Sequence, residues 1–328
     1  MGASVRGRGA RRRHSGAVIP TSGIGAAPTT LSYAALRSAG VPRRQIDAAV
    51  ARGALIRVRR GTYVPADCPR PFLLAAREGG RLDCLSLLAA SGVFVLEATA
   101  THVQMDYGST RIPVRRDGLQ RHWRCTTAAR DALAAPLVEA LAQACRCQPP
   151  RAAIATLDSA WHQGLVNEAG IAEVLGLLPR RFGILRAHLD RRAESGIETL
   201  LRLMLRAQGW QVEVQVAIPG VGRVDLVLDG WLIIECDSER FHGGWEEGRR
   251  DRRRDLQAAR FGYVTVRPLA EDVIHRPEEV LRAIRDVVAH GASLRRVHNV
   301  ATAGRQRTAR APERAARPAS RRCAHDEG

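Results

Sequence analysis

The sequence predicts a mixed α/β chain of several domains: a helix-turn-helix head with a two-stranded wing, a mixed α+β and mostly helical connector, and a C-terminal domain of order αβββαβα. Three observations predict it. Two short helical stretches meet at Gly40-Val41-Pro42 and run into two short strands around Arg59-Arg60-Gly61. An amphipathic stretch, Ser195 to Gln208, carries Ile197, Leu200, Leu201, Met204 and Leu205 at helical spacing and stops at Gly209. Two apolar strands then flank Asp229-Gly230, each with a carboxylate where packing alone favours a hydrophobe.

The chain has 328 residues, enough for two or three domains at roughly 100–200 residues each. Its net charge is +18, and all 51 basic residues are arginine, as arginine and alanine usage in a GC-rich genome would produce. The absence of lysine excludes a Walker-type phosphate lysine, a Schiff base and any catalytic lysine. Such positive charge favours a polyanionic partner, DNA above all, because each neutralised phosphate releases a counterion. Seven scattered cysteines and the lack of an apolar secretory core point to reduced thiols in a cytoplasm. Cys145 and Cys147, with Cys125 nearby, match no standard zinc-finger spacing. The apolar run from Cys84 to Ala100 is too short and interrupted to span a bilayer, so no membrane partner is expected.

Residues 1–28 read as a disordered basic tail. In the head, residues 29–68, Leu31 to Ala39 and Arg43 to Arg52 form helices, and Leu55 to Val58 and Thr62 to Val64 form strands. The second helix offers Arg43, Arg44 and Gln45 to a major groove, and the wing offers Arg57, Arg59 and Arg60 to phosphates. The connector, residues 69–192, has a helix over Ala75 to Ala90, a strand at Thr101 to Met105, and a helical stretch from Thr126 to about Leu178 with a break at Pro149-Pro150. It shows no chemistry: His122, Trp161 and His162 stand alone, and a lone histidine is commonly structural. In residues 193–290, Trp210 to Ala217 alternates as a strand, Trp245 to Arg260 makes a basic helix, Tyr263 to Val266 a last strand, and Pro277 to Ala289 a closing helix. Residues 291–328 are a second disordered basic tail.

The chemistry-bearing residues lie in this last domain. Asp225, Glu235 and Asp237 gather three acids on one small sheet, and burying an uncompensated charge costs several kcal/mol. A hard divalent cation with oxygen ligands would resolve that cost. His242 and the arginine-rich Arg249 to Arg254 follow. Acids for a metal beside cations for phosphate suggest metal-assisted phosphodiester chemistry.

Two family resemblances add to this reading. Gly61-Thr62-Tyr63-Val64-Pro65-Ala66 closes the head with a "GxYxPA"-like strand and resembles the N-terminal domain of AbiEi-type antitoxins, which implies DNA binding, autoregulation of an operon, and a cognate toxin or operon partner. Over residues 193–288 the ordered set Ser195-x-x-Glu198, "GRVDL", "ECD", "FH", "RDRRRDL" and "GYVTVR" resembles the PD-(D/E)XK restriction-endonuclease-like fold, closest to an uncharacterised Vsr-like type. That resemblance implies that Asp225 and Glu235 bind Mg²⁺ (or Mn²⁺) and place a water at the scissile phosphate. Glu198 matches the first-helix acid; it also sits where a capping box puts a glutamate, and the two roles are compatible. Asp237 stands where the family has lysine, either as a further ligand or as the mark of a lost activity. His242 is the candidate general acid or base, its alternative being an exposed strand-end histidine, and Arg252 or Arg254 the candidate for neutralising transition-state charge.

One geometric condition is demanding. A strict two-residue turn at Asp229-Gly230 pairs Asp225 with Ile234 and puts Asp225 and Glu235 on opposite faces. Joint action requires a three-residue loop or a bulge. The expected function is a Mg²⁺-dependent DNA endonuclease in repair or phage defence. The alternative is a non-catalytic DNA-binding regulator of the AbiEi type that retains a degenerate nuclease fold.

Overall fold

The computed structural model describes residues 28–110, 112–114, 117–236 and 245–291, with the backbone alone for 245–248. Asp237, His242 and nearly all of both basic tails lie outside the described residues. The described chain is mixed α/β with three small sheets.

In the head, β1 (Leu31–Ser32), α1 (Tyr33–Ser38), α2 (Arg43–Ala51), β2 (Leu55–Arg59) and β3 (Thr62–Pro65) follow in order. The helix expected from Leu31 begins two residues late. Ser32 is extended (φ −78, ψ 148) so that its Oγ accepts from the Ala35 amide, and Leu31 and the cap residue itself pair with Tyr63 and Thr62 of β3 as an edge strand. Gly40, at φ 80, makes the turn between the helices. Leu36, Val41, Ile46, Ala49, Leu55 and Tyr63 are buried together, each large aliphatic or aromatic side chain stabilising by about 1.5–3 kcal/mol.

The middle comprises α3 (Arg70–Glu78), β4 (Arg81–Leu82), α4 (Cys84–Ala90), β5 (Thr101–Met105), β6 (Leu119–Trp123), α5 (Leu137–Cys147), α6 (Pro150–His162), α7 (Glu168–Gly176) and a 3₁₀ segment at Arg180–His188. Three expectations change here. The helix predicted over Ala75 to Ala90 is broken, because Gly79 caps α3 in the left-handed region (φ 79) and the chain then enters β4. Residues 126–136 are not helical: Leu82 exchanges backbone hydrogen bonds with Leu133 (2.7 Å) and Ala135 (2.9 Å), which holds that segment extended. His122 is not isolated, since β6 runs parallel to β5 and sets it against His102. Buried side chains of α4, α5, α6, β5 and α7 form a continuous apolar cluster that includes Leu88, Val103, Met105, Leu141, Leu157 and Ile171.

The C-terminal elements are α8 (Gly196–Arg206), β7 (Val212–Ile218), β8 (Gly222–Leu228), β9 (Leu232–Ile234), α9 (Trp245–Arg260), β10 (Val264–Val266) and α10 (Ala270–His275). The sheet order is β10-β9-β8-β7, antiparallel except that β10 runs parallel to β9. Ala258 of α9 is buried in one apolar cluster with Ile218, Val224, Val227 and Ile233 of this sheet. Residues 277–291 form a further helix. Among the described residues, no helix is long and apolar enough to cross a membrane.

Candidate nucleic-acid interface and a buried carboxylate row

Packing of Ile46 and Ala49 inward fixes which side of α2 faces out. Arg43 and Arg44 are exposed in its first turn, and Gln45 is half-buried. Arg43 lies 3.5 Å from Asp47, one turn on, with both side chains largely in solvent. Such a pair is worth a few tenths of a kcal/mol and exchanges easily for a phosphate. In the wing Arg57 and Arg60 are exposed. Arg59 departs from the expected role. The strand register slips between Arg57 and Arg59, and the Arg59 guanidinium turns to donate to the Glu78 carbonyl at 2.8 Å, lying across Gly79. Arg59 therefore braces the wing against α3 rather than reaching outward.

The carboxylates meet the geometric condition set by the sequence. Asp229 (φ 47) and Gly230 (φ 73) make a left-handed turn and Trp231 adds a third loop residue, so Leu228 pairs with Leu232 and Leu226 with Ile234. The next step of that register sets Asp225 opposite Glu235 on one face. On the other flank, Gln215 of β7 lies opposite Asp225 and is itself held at φ 54, a conformation that costs a residue with a β-carbon of order 1 kcal/mol.

Glu198 closes the capping box of its own helix and also turns toward the carboxylate row. Ser195 Oγ accepts from the Glu198 amide at 3.1 Å, while Glu198 Oε2 reaches back to the Glu194 amide at 3.0 Å. The same oxygen accepts from Gln215 Nε2 at 2.9 Å, and that nitrogen is 3.4 Å from Asp225 Oδ1. Asp225 Oδ2 accepts from the Cys236 amide at 3.1 Å. Burial raises the pKa of all three acids. Desolvation is the main cause in each, reinforced at Glu198 by the charge of Asp225.

Glu235 has different company. Arg254 donates to its Oε1 at 2.9 Å, and Arg267 lies 2.5 Å from its Oε2. Arg254 also donates to the carbonyls of Arg223 (2.7 Å) and Val221 (3.3 Å), so it braces α9 against the β7–β8 end of the sheet. Arg252 is exposed on α9, along with Arg249, Arg250 and Arg253. Among the described residues, Glu198, Asp225 and Glu235 do not bring three carboxylate oxygens within one cation's reach.

Comparison with known proteins bears on the head and on most of the chain. Residues 30–66 match the family described as "Transcriptional regulator, AbiEi antitoxin", a span that coincides with β1 through β3. Two proteins of Mycobacterium tuberculosis, "Uncharacterized protein Rv2248" and "Uncharacterized protein MT2308", are each 30% identical over 254 residues, covering 72% of this chain and 93% of their own length. At that identity and coverage, the chain belongs to the same family as these mycobacterial proteins, with a head similar to that of AbiEi antitoxin regulators.

Proposed function

We propose that this chain is a non-catalytic, DNA-binding transcriptional regulator of the AbiEi antitoxin type, with a cognate toxin or operon product as its further partner. The observation that carries the reading is the coincidence of the matched span, 30–66, with a folded helix pair and hairpin whose outward residues are arginines. In this winged helix-turn-helix reading α2 enters the major groove, with Arg43 and Arg44 at its leading turn, and Arg57 and Arg60 of the wing take backbone phosphates. Arg249, Arg250, Arg252 and Arg253 of α9 extend the electrostatic footprint.

The C-terminal segment supports a second element of this proposal, a retained restriction-endonuclease-like fold that no longer cleaves. The three-residue loop, the row Gln215–Asp225–Glu235 and the inward Glu198 are what such a site would need. A Mg²⁺ or Mn²⁺ ion would draw on Asp225 and Glu235, with Asp237. The described carboxylates do not fit it, because both oxygens of Glu235 face guanidinium groups that supply its charge balance. Two guanidinium groups are a substitute for the ion, and they cannot activate a water.

The test is selection of duplexes from a random DNA pool by the full chain, followed by incubation of supercoiled plasmid with Mg²⁺ or Mn²⁺. The proposal expects an enriched duplex sequence and intact plasmid. Cleavage that disappears in Asp225→Ala would establish the metal-dependent endonuclease instead, and failure to enrich any sequence would remove the regulator.

A further inference from the structure

The middle sheet gathers four side chains that the DNA-binding reading does not use. Cys84 opens α4, His102 lies on β5, His122 on β6, and Cys147 closes α5. One ligand atom from each, two sulfurs and two ring nitrogens, lies within 4.8 Å of every other. His102 Nδ1 is 2.9 Å from His122 Nε2, and that same Nε2 is 3.9 Å from Cys147 Sγ. Zn–N bonds of about 2.0–2.1 Å and Zn–S bonds of about 2.3 Å at tetrahedral angles put neighbouring ligand atoms roughly 3.3–3.8 Å apart. The two measured separations bracket that range.

We infer that Cys84, His102, His122 and Cys147 form a Cys₂His₂ site for a structural zinc ion. The parallel register explains how the histidines converge. His102 pairs with Gln120 and Gln104 with His122, so the two histidines are diagonal neighbours on one face. Cys84, His102 and His122 are 0%, 8% and 8% exposed and adjoin the apolar cluster of Val103, Met105 and Leu141. Polar groups in such a place need partners. Two thiolates and two neutral imidazoles around Zn²⁺ make a set with no net charge.

Two further observations fit a built site. Cys84 is held at φ 52, a left-handed backbone that persists only where its surroundings over-determine it. Its neighbour Asp83 is wholly buried, with Oδ1 on Arg124 at 2.8 Å and Oδ2 without a hydrogen-bond partner. The Asp83 amide donates to the His102 carbonyl at 3.0 Å, which ties this buried carboxylate to the strand that carries one of the histidines. With four protein ligands the site has no open position, so its work is to tie α4, β5, β6 and α5 together.

The test uses the full chain, purified without chelator under reducing conditions. Elemental analysis should find one zinc per chain, retained in Cys125→Ser and largely lost in Cys147→Ser, whose thiol is the most accessible of the four. Cobalt(II) added to the metal-stripped chain should give the intense visible bands of tetrahedral thiolate coordination, absent in Cys147→Ser and in His122→Gln. A stripped chain should also melt at lower temperature and recover on adding zinc. Wild-type protein that carries no zinc and gives no tetrahedral cobalt spectrum would overturn the inference. So would recovery of a Cys84–Cys147 disulfide as the native state, or full zinc retention in both variants.

Discussion

Asp158 on α6 and Arg202 on α8 meet at 2.7 Å with side chains 1% and 0% exposed. Thr199 donates to the same Oδ2 at 3.0 Å and the Asp190 amide to Oδ1 at 2.8 Å, while Arg202 also donates to the His188 carbonyl at 2.9 Å. This is the polar fastening between the middle of the chain and the helix that leads into the four-stranded sheet. Removing one partner strands a buried charge, so Arg202→Met should cost about 3–5 kcal/mol in urea unfolding. Replacing both partners with apolar residues should cost less than either single change.

Burial pushes the Asp158 carboxyl from 3.8 up to about 6, against the opposing pull of the Asp190 amide and Arg202. A raised folded-state value means the native chain holds this proton more tightly than the unfolded chain. Its contribution is therefore complete below pH 3.8 and is lost as pH rises through about 6. At about 1.4 kcal/mol per unit, the loss is on the order of 1–3 kcal/mol. Unfolding free energies measured across this window should show the decline, and Asp158→Asn should flatten it while lowering stability throughout.

Gly79 is required twice over. Its φ of 79 disfavours any β-carbon, and a Cβ there would lie 1.7 Å from Arg59 Nη1. Gly79→Ala should destabilise by about 1–2 kcal/mol through backbone strain and displace the wing brace. The diagnostic pairing is Arg59→Ala, which should lower the melting temperature yet leave the salt dependence of DNA binding unchanged. A fall in that salt slope would show that Arg59 contacts phosphate after all.

Glu235→Gln removes the charge that holds Arg254 and Arg267 together and should destabilise by about 1–3 kcal/mol. DNA affinity should not change. Increased DNA binding in this variant would mean that Arg254 or Arg267 had been released to take phosphate.

The head and the carboxylate row were legible because their signals are local. The Gly40 turn, the Gly61 hairpin and the Asp229-Gly230 loop are written in adjacent residues, and the requirement for an extra loop residue follows from strand parity alone. What escaped was non-local. Cys84, His102, His122 and Cys147 come from four elements whose convergence depends on β6, a strand with one aliphatic residue in Leu119–Trp123 and so no visible alternation. A helix drawn over Ala75 to Ala90 hid Cys84 inside it, and a helix drawn from Thr126 hid the extended segment that closes the sheet. The consecutive Gly79-Gly80 was the signal that could have exposed the first error. The carbonyl hydrogen bonds of Arg59 and Arg254 escaped for another reason: composition cannot tell an arginine that reaches outward from one that braces a carbonyl.

The most direct measurement is the dependence of DNA affinity on salt for the full chain and for Arg43→Ala/Arg44→Ala. Each phosphate contact contributes about 0.9 to the slope of log affinity against log salt. The double variant should bind at least tenfold more weakly and lose between about 1 and 2 from that slope, with its melting temperature unchanged. Equal affinity and equal slope in the two proteins would contradict the placement of α2 on DNA.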